Sequence, residues 1–166
     1  RLQRLESLSI CLRGSYEFTP EGLEHLAKGF EGKDFLRTLD LDFSWCKKFD
    51  SEYIKPIVGL LSQMPYINKL IINFESCENM DDTALKILAE GLSTLEGLEY
   101  LFLKFDNCSK LSIEGLNPLR STLLKLFEMR DFKLAQLNFM ECEALEQNLE
   151  EWKDSIPKEL NIVIES

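Results

Sequence analysis

Residues 98–108 read LEYLFLKFDNC, and this stretch contains the pattern from which the fold can be inferred. Apolar residues occupy every second position from Leu101 to Phe105, and Cys108 follows shortly after. Such alternation is typical of a β-strand that buries one face. The same arrangement occurs twice before it, at intervals of 31 residues, at 67–77 (INKLIINFESC) and at 36–46 (LRTLDLDFSWC).

Three further copies extend the pattern over nearly the whole chain. Residues 132–142 repeat it after a spacing of 34, and residues 5–15 repeat it with Ser15 at the cysteine position. The three additional residues are expected in the connection at 127–131. A recurring unit of this length predicts a repeat protein. We expect one domain over 1–166, with repeats at 5–35, 36–66, 67–97, 98–131 and 132–159 and a last strand at 160–165. Since the chain begins with Arg1, we expect it to be part of a longer chain.

A helical pattern follows each of the first four strands, with apolar residues at the spacing of one helix face. Each helix is preceded by a residue that caps helices well. These capping positions hold Thr19, Asp50, Asp81 and Ser112. Pro56 and Pro118 lie inside two of the predicted helices and are expected to kink or loosen them. Arg120 occupies a position that is apolar in the other helices, so its guanidinium should turn outward or find a partner.

A unit of one strand and one helix cannot bury its apolar surface alone, whereas stacked copies can. The sequence therefore predicts an α/β solenoid, with about six parallel strands on the concave face and about five helices on the convex face. The first and last strands would leave open sheet edges. Flanking repeats, a cap or another subunit are expected to cover these edges.

The units resemble leucine-rich repeats of the ribonuclease-inhibitor-like and cysteine-containing types. The strand residues Leu103 and Phe105 with Cys108 resemble the L-x-L-x-x-N/C signature, and Ser112 with Gly115 resembles the element that leads into the helix. The resemblance implies a horseshoe-shaped arc and a module that binds other proteins. It also implies two alternatives, which are substrate recognition within a ubiquitin ligase adaptor and GTPase activation through a loop arginine. Arg13 is the candidate arginine.

The cysteines are better explained by structure than by chemistry. Four of them recur in phase with the buried strand residues, at Cys46, Cys77, Cys108 and Cys142. In this position a side chain turns inward and can hydrogen-bond loop backbone groups that would otherwise be buried without partners. A zinc site or a disulfide between units is a less favoured alternative, because a row of thiols suits neither geometry. Cys11 is out of phase and is expected to be the thiol most open to modification.

Composition and charge narrow the functional classes. A net charge of −10 with only 19 Lys and Arg residues argues against nucleic acid and anionic membranes as partners. The sequence has one histidine, His25, and no glycine-rich phosphate loop, so we expect no enzyme activity, cofactor, metal or small-molecule substrate. Asp81 and Asp82 are interpreted as a helix start, and Glu146, Glu150 and Glu151 as a solvated helix face. The cysteine spacing favours a reduced, cytoplasmic protein.

The concave strand face is the predicted partner site. Its apolar points, surrounded by acidic residues, are typical of a protein interface that favours a basic or mixed-charge segment. The predicted partner-binding residues are Arg13, Asp40, Asp42, Ile71, Asn73, Glu75, Tyr100, Phe102, Lys104, Asp106, Asn138 and Met140. Ser44 is expected to face the same side. The leading hypothesis is a non-enzymatic interaction or scaffold module, with part of a large assembly as a variant of it.

Overall fold

A computed structural model of the chain describes residues 4–30, 32, 34–129, 131–145 and 148–166. Strands and helices alternate along the chain. The strands are β1 (Ser7–Cys11), β2 (Thr38–Asp42), β3 (Lys69–Asn73), β4 (Tyr100–Lys104), β5 (Leu134–Asn138) and β6 (Ile162–Glu165). The helices are α1 (Pro20–Lys28), α2 (Ser51–Leu61), α3 (Asp82–Leu92), α4 (Ile113–Phe127) and α5 (Leu149–Asp154). The element types and their order confirm the predicted architecture.

The strands form one parallel sheet in the order β1-β2-β3-β4-β5-β6. From β1 to β4, each strand residue pairs with the residue 31 positions later, as Leu39 does with Leu70. Between β4 and β5 the offset is 34, as for Tyr100 and Leu134. The expected location of the additional residues is wrong, because α4 has 15 residues, against 11 in α3, and the connection after α4 is one residue shorter than the connection after α3. Buried Leu126 holds this extra turn against the core.

The core lies between the sheet and the helices. Each strand from β2 to β5 alternates half-buried and buried residues, which places one side of the sheet against the helices. Just after each of these strands a phenylalanine enters the core, and consecutive rings stack. This phenylalanine ladder consists of Phe43, Phe74, Phe105 and Phe139, with ring centroids 5.9, 5.5 and 5.5 Å apart.

The helices begin where the capping pattern predicts. The side chains of the four predicted caps each accept a hydrogen bond from a backbone N–H in the first helical turn. Both α2 and α4 continue past Pro56 and Pro118, so the expected loosening ends neither helix. Arg120 finds a partner, because its Nη2 donates to the carbonyl of Ser155, the C-cap of α5, at 2.8 Å.

The four in-phase cysteines are buried, unpaired thiols that hold neighbouring repeats together. Each Sγ–H donates to a backbone carbonyl of the preceding repeat at 3.1 to 3.2 Å. Cys108, for example, donates to Phe74. This confirms the structural interpretation, since the thiols satisfy loop carbonyls that have left the strand ladder. Burial raises the pKa of the Cys77 thiol to about 12 and also raises the pKa of Cys108.

In the described part of the chain, no helix combines the length and the apolar character needed to cross a membrane.

Candidate functional site

The concave face of the sheet holds an open groove of about 400 Å³ that spans five strands. Most of its lining side chains point away from the helices, so the strand alternation that builds the core also builds the groove. The groove is lined by Ser9, Cys11, Asp40, Asp42, Ile71, Ile72, Asn73, Phe102, Leu103, Lys104, Gln136 and Asn138. Seven of the twelve predicted partner-binding residues lie in this set.

The centre of the groove is apolar. Ile71 and Phe102 are directly paired neighbours on β3 and β4, and both are only half-buried. The Nζ of Lys69 lies over the Phe102 ring, 5.4 Å from its centroid, so one face of the ring already contacts a cation. An aromatic and an aliphatic side chain side by side on an otherwise polar strand face offer an anchor point to a partner.

Acidic side chains flank this centre on the β2 side. Asp40 accepts a hydrogen bond from the Ser9 hydroxyl at 3.2 Å. Asp42 accepts one from the backbone N–H of Ser44 at 2.9 Å. Burial acts to raise the pKa of Asp42, but hydrogen bonds from Ser44 and Cys11 outweigh it, so the pKa is lowered. Asp42 is therefore ionised at neutral pH, and among the described side chains neither aspartate forms an ion pair.

On the β4 side of the groove, the charge of Lys104 is offset by two carboxylates. Lys104 contacts Glu75 at 2.6 Å and Asp106 at 3.2 Å. The hydrogen bond with Glu75 is the main cause of a raised pKa of Lys104; burial opposes it and Asp106 supports it. Asp106 is buried and also accepts a hydrogen bond from the backbone N–H of Met140 at 2.8 Å. Its carboxylate therefore organises the loop after β5 and presents little surface to a partner.

The other predicted residues occupy the margins of the groove. Asn73 accepts a hydrogen bond from the backbone N–H of Glu75 at 2.9 Å, and Asn138 hydrogen-bonds Glu165 on the last strand. Tyr100 has the Nζ of Lys133 5.4 Å from its ring centroid. Met140 is 49% exposed at the carboxyl end of β5. These side chains share the concave side, although they do not all line one cavity.

Two details of the surface differ from the sequence-based expectation. Ser44 is fully buried, so its expected place on the concave surface is wrong. Trp45 and Tyr16 are exposed near Arg13, and the strand pattern did not indicate them because they lie in turns beyond the strands. The sequence did contain one signal. In three repeats the residue before the in-phase cysteine is small or polar, whereas in one repeat it is a tryptophan.

Cys11 faces the groove side and is exposed, as predicted, with its thiol 3.6 Å from the Asp42 carboxylate. Of the five cysteines, we expect only Cys11 to react rapidly with Ellman's reagent in the folded protein, because the other thiols are buried and held protonated. Substitution Cys11→Ser should remove the fast phase, and guanidinium should release the remaining thiols. A second fast-reacting thiol in the native protein would contradict the buried cysteine arrangement.

The described residues include no group of three or more His, Cys, Asp or Glu side chains positioned to hold a metal ion. His25 is exposed on α1, Asp81 caps α3, and Glu150 and Glu151 are exposed on α5; Glu146 lies outside the described residues. The chemistry that the concave face offers is therefore recognition through one apolar centre, two aspartates and a row of amides.

Comparisons with known proteins bear on the fold. No sequence-family profile and no curated protein matches the chain. Among solved structures, the C-terminal domain of tropomodulin from Caenorhabditis elegans superposes with a TM-score of 0.57, at 14% sequence identity, over 93% of this chain and 93% of that one. The likeness is one of architecture. With six parallel strands and five helices in this arrangement, the chain has a leucine-rich-repeat-like solenoid fold.

Proposed function

We propose that the protein is a non-enzymatic interaction module that binds a segment of a partner protein across its concave face. The observation that carries this proposal is the half-buried pair Ile71 and Phe102 at the centre of the groove. Burying such a pair against a partner would contribute most of the binding free energy, while the polar margin fixes orientation.

The charge distribution supports a basic or mixed-charge segment as the ligand. Lys104 is neutralised by Glu75 and Asp106, so it adds little positive potential to the groove. Asp40 and Asp42 form no salt bridge in the described part of the chain, although Arg13 lies near enough to Asp42 to help lower its pKa, so both carboxylates can still pair with a ligand. Lysine or arginine side chains on the partner would complement them and speed association.

The buried, unpaired thiols support a reducing, intracellular location, since none of the described cysteines forms a disulfide. No contact in the described structure specifically favours the ubiquitin-ligase or GTPase-activating alternatives. Arg13, the candidate arginine for GTPase activation, has its guanidinium over the Trp45 ring, 5.9 Å from the ring centroid.

The test uses peptides selected from a random displayed library on the immobilised wild-type protein. The variant combines Asp40→Asn, Asp42→Asn and Phe102→Ala; the asparagines keep the oxygen acceptors that Ser9 and Ser44 use, so only charge and the ring are lost. We expect enrichment of lysine and arginine in the selected peptides and a loss of affinity of about tenfold or more in the variant.

The matched control carries the same kinds of change on the convex helices, with Glu90→Gln, Glu114→Gln and Ile87→Ala. These side chains lie on α3 and α4, away from the groove. The control should bind the selected peptides as tightly as the wild type. If the concave variant stays folded by circular dichroism and binds with unchanged affinity, the concave face is not the binding site.

A further inference from the structure

The aromatic rim is a cluster of exposed side chains in the turns beyond β1 and β2, formed by Arg13, Tyr16, Trp45 and Lys48. Tyr16 is 53% exposed and Trp45 is 42% exposed. None of the four residues lines the groove of the concave face. The rim is therefore a separate surface, and it needs its own explanation.

The backbone gives no reason for a tryptophan at position 45. Trp45 has a φ of 64°, in the left-handed region, and the equivalent positions in the other repeats share this conformation. Those positions hold Gly14, Ser76, Asn107 and Glu141. The neighbouring repeat fixes this conformation, because the N–H of Trp45 donates to the carbonyl of Glu75 at 2.8 Å. Glycine would satisfy this turn without strain, whereas a bulky side chain is disfavoured there.

Packing gives no reason for it either. The cation lying over the Trp45 ring is the Arg13 guanidinium, and Arg13 is itself exposed. The other tryptophan, Trp152, is only 4% exposed and packs against Phe139 of the phenylalanine ladder. A large aromatic side chain that is both strained and exposed is typical of binding sites, where strain is tolerated for function.

The charges around Trp45 indicate the chemistry of the ligand. The whole chain carries a net charge of −10, yet the turns that form the rim contain Arg13, Lys47 and Lys48. Lys47 is paired with Glu78 at 2.6 Å. Lys48 reaches only the backbone carbonyl of Tyr16, at 3.4 Å, and neither it nor Arg13 forms an ion pair within the described residues.

We propose that the aromatic rim binds an acidic segment of a partner protein that carries an aromatic residue. The aromatic residue packs on the exposed rings of Trp45 and Tyr16, and flanking carboxylates pair with Arg13 and Lys48. A protein segment fits better than nucleic acid, because the negative field of the chain opposes a long polyanion more than a short acidic peptide. None of the rim residues lines the groove, so the two sites can be tested separately, although Arg13 interacts with the charge of Asp42 at their boundary.

The chain has two tryptophans, so their indole N–H resonances provide a site-specific measurement with an internal control. The probe is a short peptide of aspartates and glutamates around one phenylalanine. We expect the Trp45 resonance to move saturably on titration while Trp152 stays in place. Absence of a saturable shift, an equal shift with the lysine counterpart of the peptide, or tighter binding of a single-stranded oligonucleotide would overturn the proposal.

Three variants separate binding from folding, with affinity measured by anisotropy of the labelled peptide. Arg13→Gln with Lys48→Gln should weaken binding about tenfold or more, while the convex pair Lys55→Gln with Lys86→Gln should not change it. Trp45→Gly should abolish binding and leave the guanidinium midpoint equal to or above that of the wild type. A lowered midpoint in Trp45→Gly would show that the indole serves folding and would overturn the proposal.

Discussion

Substitution of Phe74 by alanine should destabilise the protein by about 3–5 kcal/mol, the cost typical of removing a large ring from a well-packed core. Phe74 is the second ring of the phenylalanine ladder and has no exposed surface. Its ring stacks on Phe43 and Phe105, and the Phe49 ring lies 5.3 Å away. Removing it leaves a cavity between two repeats, and the rigid strand spacing prevents the neighbouring rings from closing the gap.

The measurement is guanidinium unfolding followed by circular dichroism. Phe35→Ala is the matched control, because that ring is 52% exposed and its loss should change the unfolding free energy by only about 0.5 kcal/mol. Phe74→Leu should fall between the two, since the first repeat has Leu12 at the equivalent position. If Phe74→Ala costs no more than Phe35→Ala, the stacked rings contribute nothing specific to stability.

The phenylalanine ladder and the cysteine row also show which features a sequence of this kind can predict. Strand positions, helix caps and inward-facing thiols were confirmed because each depends on a pattern that the repeat presents several times. One buried face fixes strand register, and one capping residue fixes a helix start. Leu39 and Cys77 could be placed from their phase in the repeat alone.

The surface was less predictable because it depends on contacts between neighbouring repeats. Asp106 has the same phase as Glu75, yet it is buried, since its carboxylate is bound by Lys104 and by the backbone of the next repeat. Ser44 is fully buried, although its phase in the repeat places it on the concave side. Trp45 belongs to a turn whose left-handed conformation is set by a hydrogen bond to the adjacent repeat. Strand alternation carries no information on any of these contacts.

Gly115 is the position where adding a single methyl group should be most damaging. A Cβ at Gly115 would overlap the carboxylate of Asp82 and would lie 2.9 Å from its Cα, so the carboxylate would have to move away and the backbone beside it to shift slightly. The same carboxylate accepts hydrogen bonds from the backbone N–H and the hydroxyl of Ser112, the cap of α4, at 2.7 and 2.5 Å. Gly115→Ala should therefore destabilise by about 1–3 kcal/mol, through overpacking and through loss of this contact between repeats.

Gly59→Ala is the matched control, because it makes the same change inside α2, where a Cβ would have no neighbour within 4 Å. There alanine should stabilise by about 0.5–1 kcal/mol through its better helix propensity. Opposite signs for the two substitutions in guanidinium unfolding would separate the steric effect at Gly115 from helix propensity.

The preceding repeat suggests how the Gly115→Ala loss can be reversed. There Ala84 and Ser51 occupy the positions equivalent to Gly115 and Asp82, and Ala84 is fully buried. A serine is small enough to accept the methyl group that an aspartate excludes. Asp82→Ser combined with Gly115→Ala should recover much of the lost stability, with a coupling free energy of about 1 kcal/mol or more in a double-mutant cycle. Strictly additive effects would show that Asp82 does not cause the requirement for glycine.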